Sequence, residues 1–205
     1  GAEPSRRHAP HAIRHAPAPG PVAPDLSAPF GSYQTVTTEA ALARWIEAAA
    51  EAGVIGIDTE TDSLDGRRAK MVGFSIATAP AKACYVPIRH GGGGDMLSDP
   101  APEQIAPDRA FALLRPLLED PTVLKVFQNA KYDLEVFARE ENGGFATIAP
   151  IDDTMMISYA MEAGRRGHGM DELSVVHLNH APVRFDEVAG TGKARIPFGR
   201  VALDK

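Results

Sequence analysis

The apolar run at residues 54–57 leads directly into two acids, Asp58 and Glu60, with one residue between them. Gly53 is a good stop for a preceding helix, so the run is predicted to be a short buried strand that ends in the first acid. Side chains two positions apart in a strand project to the same side, which would bring both carboxylates together. Two such anions repel each other unless a cation lies between them, and Mg²⁺ prefers oxygen ligands. Acids at a strand end are also common turn residues or caps, so the spacing alone leaves both interpretations open.

The rest of the folded part alternates between strand and helix patterns. A first helix is predicted to begin after Thr37 or Thr38 and to end near Ala52. Its apolar face consists of Leu42, Trp45, Ile46 and Ala49. Further strands are predicted at residues 71–78, 83–88 and 123–127, and further helices at residues 108–118, 132–140, 154–161 and 170–178. Asp152 or Asp153 would cap the helix that starts at residue 154. This order predicts an α/β fold, with a mixed β-sheet flanked by α-helices.

The segment Gln128-Asn129-Ala130-Lys131-Tyr132-Asp133 carries a further candidate acid. It follows the strand at residues 123–127 and opens a helix, so Asp133 lies one turn into that helix and can point back toward the strand ends. Strand ends are where folds of this class place their active sites. An acid in the first helical turn is also favoured by the helix dipole, so Asp133 taken alone has either a structural or a catalytic role.

Composition restricts the functional classes. A net charge of −6 argues against a protein that simply coats nucleic acid, but not against a nuclease whose carboxylates hold metal ions. The single cysteine, Cys84, cannot form an internal disulfide and is interpreted as a core residue in a reducing, cytoplasmic setting. No apolar stretch is long enough to span a membrane, so no membrane partner is expected.

Residues 1–30 differ from the rest of the chain, because they hold seven of its 17 prolines. A Pro/Ala-rich segment buries little apolar surface and stays extended. We interpret it as an interdomain linker and residues 31–205 as the folded domain of a larger protein. The glycine run at residues 91–94 is interpreted as a surface loop.

In their order and spacing, the motifs resemble those of a known family. Asp58-x-Glu60 followed by Gln128-Asn129-x-Lys131-Tyr132-Asp133 is similar to the first two motifs of the DEDD exonucleases, and most closely to the proofreading domain of family A DNA polymerases (DNA polymerase I). The resemblance covers roughly residues 35–205. It continues through Asp153-Thr154-Met155, Ser158-Tyr159, Met170-Asp171-x-Leu173 and Phe185-x-Glu187-Val188-Ala189-Gly190-x-Gly192-Lys193.

The resemblance implies a ribonuclease H-like fold and two-metal 3′→5′ hydrolysis of DNA ends during proofreading. Asp58 would bridge both Mg²⁺ or Mn²⁺ ions, and Glu60 would complete the site that activates the attacking water. Asp133 would hold the second metal, partly through water. These three acids are the catalytic and metal-binding residues that the family assigns.

The resemblance also assigns contacts to a single-stranded or frayed DNA 3′ end. Leu64 and Phe185 would wedge against the last bases. Thr61, Gln128 and Asn129 would contact the terminal nucleotide. Buried core positions for the first two residues, and turn or cap roles for the other three, remain open on the sequence alone.

The family further implies covalently linked 5′-nuclease and polymerase domains, in the bacterial cytoplasm at the nucleoid. It also has a fourth carboxylate on a Tyr-x-x-x-Asp helix, whereas no tyrosine follows Tyr159 here. We therefore interpret the domain as C-terminally incomplete. Because metal ligands act as a unit, we expect this chain to cleave weakly or not at all.

Two other functions fit parts of the pattern. The first is a catalytically silent module that spaces the polymerase and holds DNA ends. The second is an exonuclease that acts on RNA, as in the ribonuclease D branch. The three acids disfavour the silent module, and the Pro/Ala-rich linker together with residues 185–193 favours the polymerase branch. His168 and His177 are considered as alternative bases and are less favoured by their loop and helix contexts.

Overall fold

The computed structural model describes residues 33–91, 101–164 and 167–203. The predicted linker at residues 1–30 and residues 92–94 of the glycine run lie outside these ranges, so both interpretations stay predictions. The strands are β1 Gln34–Thr35, β2 Val54–Thr61, β3 Met71–Ala79, β4 Lys82–Pro87, β5 Leu124–Phe127 and β6 Ile151–Asp153. The α-helices are α1 Glu39–Ala52, α2 Pro107–Glu119, α3 Ala130–Phe137, α4 Thr154–Glu162, α5 Met170–Leu178 and α6 Phe185–Ala189.

The strands form one sheet in the order β1-β4-β3-β2-β5-β6. The neighbours β2–β3 and β3–β4 are antiparallel. The pairs β1–β4, β2–β5 and β5–β6 are parallel. The predicted mixed sheet with helices packed on it is therefore confirmed, and β2, which carries the two acids, lies in its interior.

Helix α1 begins and ends at its capping residues, and its regularly spaced apolar side chains face the core. The Thr38 side chain accepts a hydrogen bond from the backbone N–H of Ala41, and Gly53 ends the helix with a φ of 69°. Leu42 and Ala49 are fully buried, and Trp45 and Ile46 are partly buried against the core. The predicted bounds and the predicted apolar face of this helix are confirmed.

Strand β2 is longer than the sequence predicts. Its pairing with β3 continues to Thr61 opposite Met71, so Asp58 and Glu60 lie inside the strand and not at its exit. The correction has a simple cause, since pairing with a neighbouring strand overrides the weak β propensity of acids. The prediction that Asp58 and Glu60 project to the same side of the strand holds. The alternate positions Ile55, Ile57 and Thr59 are the buried ones.

Two short strands and one short α-helix of the described residues were not predicted. They are β1, β6 and α6, with two, three and five residues. A strand this short shows no alternation to detect, and a helix this short is not stable by itself. The predicted helix at 132–140 begins earlier and ends earlier, at Ala130 and Phe137. A separate 3₁₀ turn at Glu140–Asn142 follows it, after which Gly143 takes a φ of 102°.

The core lies between the sheet, α1, α2 and α3. Its largest fully buried apolar side chains include Phe74, Phe127 and Phe137. Phe137 also contacts Phe145 edge to face, with ring centroids 5.3 Å apart. Cys84 is buried in β4, and burial raises the pKa of its thiol to about 12. Cys84 is therefore a core residue, as predicted.

Gly73 in β3 is required by the close approach of a tyrosine. A Cβ at this position would lie 2.1 Å from the hydroxyl oxygen of Tyr85. That hydroxyl is held by Nε2 of His90 at 2.7 Å. We therefore expect Gly73→Ala to lower the free energy of unfolding by about 2 kcal/mol, as measured by urea denaturation.

Gly56 in β2 provides the matched control. A Cβ there would meet only the Cβ of Ala77, at 3.5 Å, which is an ordinary contact. Gly56→Ala is therefore expected to leave the urea midpoint nearly unchanged. Equal midpoints for the two variants would contradict the assigned role of Gly73.

Candidate active site

Asp58 and Glu60 share one face of β2, and both are half-buried. Burial raises the pKa of Asp58 to about 6. Burial also raises the pKa of Glu60 to about 7, with further contributions from the charges of Asp58 and Asp133. The site therefore holds acids that repel one another and that water solvates only in part.

Asp133 lies in the first turn of α3 with 2% of its surface exposed. Its Oδ1 accepts a hydrogen bond from the backbone N–H of Thr59 at 3.0 Å and another from the Thr59 hydroxyl at 2.6 Å. Thr59 stands between Asp58 and Glu60 in the sequence. The structure therefore places all three predicted acids around one short stretch of β2.

The contact between Asp133 and Thr59 follows from the sheet register. The pairing of β2 with β5 covers Val54, Ile55 and Gly56. Beyond Gly56 the chain after β5 turns into α3, and the side chain of Asp133 takes up the N–H of Thr59. The pKa of Asp133 is raised to about 7, chiefly by burial and also by the charge of Asp58, against the lowering effect of the bonds from Thr59.

The three acids form an electrostatic cluster and not a ready coordination shell. Within residues 33–91, 101–164 and 167–203, no three His, Cys, Asp or Glu side chains stand in an arrangement that could hold a metal ion. One Asp133 oxygen is turned toward Thr59, and the like charges favour separation. Their roles as catalytic and metal-binding residues stay a prediction.

Asp153 fixes the position of α3 relative to the sheet. Its Oδ1 and Oδ2 accept the backbone N–H groups of Asn129 and Ala130 at 3.0 and 2.9 Å, at the start of α3. Its Oδ1 also accepts the N–H of Met155 at 2.9 Å and that of Met156 at 3.4 Å, at the start of α4. The predicted cap of α4 is thus Asp153, and the sequence did not reveal that the same carboxylate caps α3.

A cleft of about 960 Å³ opens beside Glu60. We call it the Phe185 cleft, and it lies between residues 59–64 and the segments 183–186 and 192–198. Leu64 is 97% exposed, so the buried alternative for this residue is wrong. Phe185 is 37% exposed on the opposite wall. Both apolar side chains predicted to wedge against bases therefore line one cleft.

The other predicted contact residues are spread over three places. Thr61 lines the Phe185 cleft, and its hydroxyl bonds to Ser63 O at 2.9 Å and to the hydroxyl of Tyr132. Asn129 takes a φ of 64° and lies near Leu64 at a separate surface pocket. Gln128 does not line the Phe185 cleft. Tyr132, which the motif contains but to which no role was assigned, reaches the cleft wall.

Gln128 lies instead in a second depression beside Asp58, which we call the apolar groove. It has a volume of about 550 Å³. Its walls include Gly56, Ile57, Val126, Ile157, Met161, Met170, Leu173 and Leu178. The Gln128 side chain donates to His168 O at 2.8 Å. His177 also lines the groove, whereas His168 bonds to Ser158 through Nδ1 at 2.9 Å.

The raised pKa values predict how stability depends on pH. Each acid has a folded-state pKa above its unfolded value, so its stabilising contribution is complete below about pH 4 and is lost as pH rises through about 6 to 7. In EDTA, we expect the free energy of unfolding to fall by about 2 kcal/mol between about pH 5 and about pH 8. Urea denaturation at the two pH values measures this change.

A variant localises the effect. Glu60→Gln removes one titrating group and is expected to flatten the pH dependence. Glu47→Gln, at an exposed position of α1, is the control and should retain the full dependence. If both variants show the same change of the free energy of unfolding with pH as the unmodified chain, the three acids do not cause that change.

Sequence comparisons show the family to which this chain belongs. Residues 33–202 match the family described as 3′-5′ exonuclease. Over 185 residues the chain is 42% identical to DNA polymerase I of Rhizobium leguminosarum, covering 85% of this chain and 18% of that protein. It is 37% identical over 173 residues to DNA polymerase I of Pseudomonas aeruginosa, covering 84% of this chain and 18% of that protein.

A solved structure confirms the ribonuclease H-like fold. The structure of Escherichia coli RNase D, an exoribonuclease involved in structured RNA processing, matches with a TM-score of 0.55 and 21% identity, over 76% of this chain and 36% of that one. At this identity the likeness shows the fold alone. Among the described residues no helix combines the length and apolarity needed to cross a membrane. The chain belongs to the 3′-5′ exonuclease family and is homologous to that domain of bacterial DNA polymerase I.

Proposed function

We propose that this chain is the proofreading module of a DNA polymerase I and removes nucleotides from DNA 3′ ends by metal-dependent hydrolysis. The observation that carries the proposal is the clustering of three mutually repelling acids around Thr59, with Glu60 on the lining of a cleft that also presents Leu64 and Phe185. A phosphodiester is an anion, and such a cluster can receive it only with cations in between.

The donor atoms of the three acids are of the type that Mg²⁺ and Mn²⁺ bind. Asp58, Glu60 and Asp133 supply carboxylate oxygens, which are the ligands that both ions prefer. The raised pKa values show that the cluster carries unfavourable negative charge, which a bound cation would relieve. When bound, two metal ions lower the pKa of water and stabilise the attacking and leaving oxygens.

The chain's own side chains would hold and orient the strand. Leu64 and Phe185 present apolar surface on opposite walls of the Phe185 cleft, which suits frayed bases of any sequence. Thr61 offers a hydroxyl on the same wall as Glu60. Gln128 and Asn129 lie outside the Phe185 cleft, so their proposed contacts to the terminal nucleotide rest on the family resemblance.

The proposed partners are a single-stranded or frayed DNA 3′ end and covalently linked polymerase and 5′-nuclease domains. The chain spans about a fifth of the curated relatives that it matches. Those relatives are DNA polymerases, which is what supports a place for this domain within a polymerase. Location in the bacterial cytoplasm at the nucleoid belongs to the same proposal.

A paired binding and cleavage experiment tests the function. Mn²⁺ is titrated into the chain and into Asp58→Ala, and 5′-labelled single-stranded DNA and RNA of one sequence are then incubated with Mg²⁺ or with EDTA. We expect Mn²⁺ binding that Asp58→Ala weakens, and at most a slow shortening of DNA from its 3′ end that EDTA stops. Equal Mn²⁺ binding by both proteins would support a silent spacer, and faster shortening of RNA would support the ribonuclease D branch.

A further inference from the structure

Arg195 is an exposed cation on the wall of the Phe185 cleft that faces residues 59–64. Its guanidinium carbon lies 4.6 Å from the centroid of the Phe185 ring. The Phe185 ring in turn stacks on Phe198, with centroids 6.0 Å apart and planes inclined by 22°. Arginine and two aromatic rings thus form one continuous stack along the cleft wall.

Among the described residues, five arginines form ion pairs with carboxylates and Arg195 does not. Arg67, Arg68, Arg109, Arg115 and Arg139 each form an ion pair with a carboxylate. Arg195 forms no such pair within the part of the chain that the structure describes. Stacking on Phe185 occupies the flat face of the guanidinium and leaves its N–H edge available to an acceptor.

The Phe185 cleft is rich in acids, so a phosphate of a bound strand is attracted to the few cations on its lining. Its lining includes the acids Glu60, Asp62, Asp171 and Asp186, and its only basic residues among those described are Arg184 and Arg195. A polyanionic strand that reaches the acids must pass this wall, where a planar cation can form two parallel hydrogen bonds to a phosphate.

We propose that Arg195 is a substrate-positioning residue that holds a backbone phosphate of the single strand while the exposed edge of Phe185 contacts a neighbouring base. The inference rests on the proposed exonuclease function and adds a phosphate contact to it. Arg195 touches the strand one wall away from the acids, so it governs binding of the strand and not the chemical step.

Strand binding and its salt dependence test the proposal. The probe is a 5′-fluorescein-labelled thymidine oligomer of about ten nucleotides with a hydrolysis-resistant phosphorothioate at its last linkage, read by anisotropy over a range of salt concentrations. Arg195→Gln is expected to weaken binding about fivefold at moderate salt. It should also reduce the slope of log affinity against log salt by about 0.7, the contribution of one phosphate contact to a single strand.

Two further variants make the result specific. Arg44→Gln makes the same charge change at an exposed position of α1, outside the cleft, and should leave both affinity and slope unchanged. Arg195→Lys keeps the charge without the planar fork, so it should retain the slope and recover part of the affinity.

The outcomes separate the two proposals. If the unmodified chain binds the oligomer and Arg195→Gln matches Arg44→Gln in affinity and slope, the role of Arg195 is overturned and the exonuclease function stands. If the unmodified chain does not bind the oligomer, both the role of Arg195 and the proposed exonuclease function are overturned. A smaller slope for Arg195→Gln alone supports the phosphate contact, because a purely structural stack would not change the number of ions released.

Discussion

Asp58→Asn is expected to slow the weak 3′-end hydrolysis of this chain by about 1000-fold, below detection, because one proposed metal ligand and one negative charge are lost together. The same change should weaken Mn²⁺ binding at least about tenfold. In EDTA at about pH 8 it should stabilise the fold by about 1 kcal/mol, since a half-buried anion disappears. A variant that loses activity but gains stability indicates that the acid contributes to catalysis and not to folding.

Three measurements test this prediction, namely the initial rate of DNA shortening, a Mn²⁺ titration and the melting temperature in EDTA. Glu47→Gln is the control, because it makes the same change from acid to amide at an exposed position of α1, outside the Phe185 cleft and the apolar groove. It should change none of the three quantities markedly. The assignment of Asp58 would be wrong if Asp58→Asn bound Mn²⁺ as tightly as Glu47→Gln.

Asp153→Ala is expected to lower the free energy of unfolding by about 3 kcal/mol, the loss of two helix caps at once. The carboxylate accepts N–H groups from Asn129, Ala130, Met155 and Met156. Alanine leaves all four without that acceptor. Urea denaturation measures the loss, and amide hydrogen exchange should show faster exchange at the first residues of both helices.

The effect of Asp153→Ala should extend to the acids, because α3 carries Asp133. We expect weaker Mn²⁺ binding than in the unmodified chain even under conditions where the variant is folded. Asp152→Ala replaces the neighbouring exposed acid and is the matched control, with little expected change in stability. If Asp153→Ala and Asp152→Ala unfold at the same urea concentration, the double cap contributes nothing measurable.

The sequence predicted the elements whose signals are local. Helix α1 has a cap at Thr38, a stop at Gly53 and a regular apolar face, so its bounds were predictable. Strand β2 was predicted too short, because its last residues are strand only by pairing with β3. Strands β1 and β6 and helix α6 were missed, because too few residues form each of them to show a period.

The site was predictable only in outline. The two-residue spacing of Asp58 and Glu60 placed both on one face, and the order of strand and helix brought Asp133 toward them. The bonds from Thr59 to Asp133 depend on where the pairing of β2 with β5 stops, which no local pattern encodes. The exposure of Leu64 could not be predicted from local sequence patterns either, because leucine side chains are more often buried than exposed.

The apolar groove beside Asp58 has a practical consequence for handling the protein. Met161 and Met170, on its walls, are 78% and 50% exposed. An amphiphilic dye such as anilinonaphthalene sulfonate should therefore fluoresce with the native chain and not only with partly unfolded states. Oxidation of these two thioethers would make the apolar groove more polar. It should therefore lower the dye fluorescence before the protein unfolds.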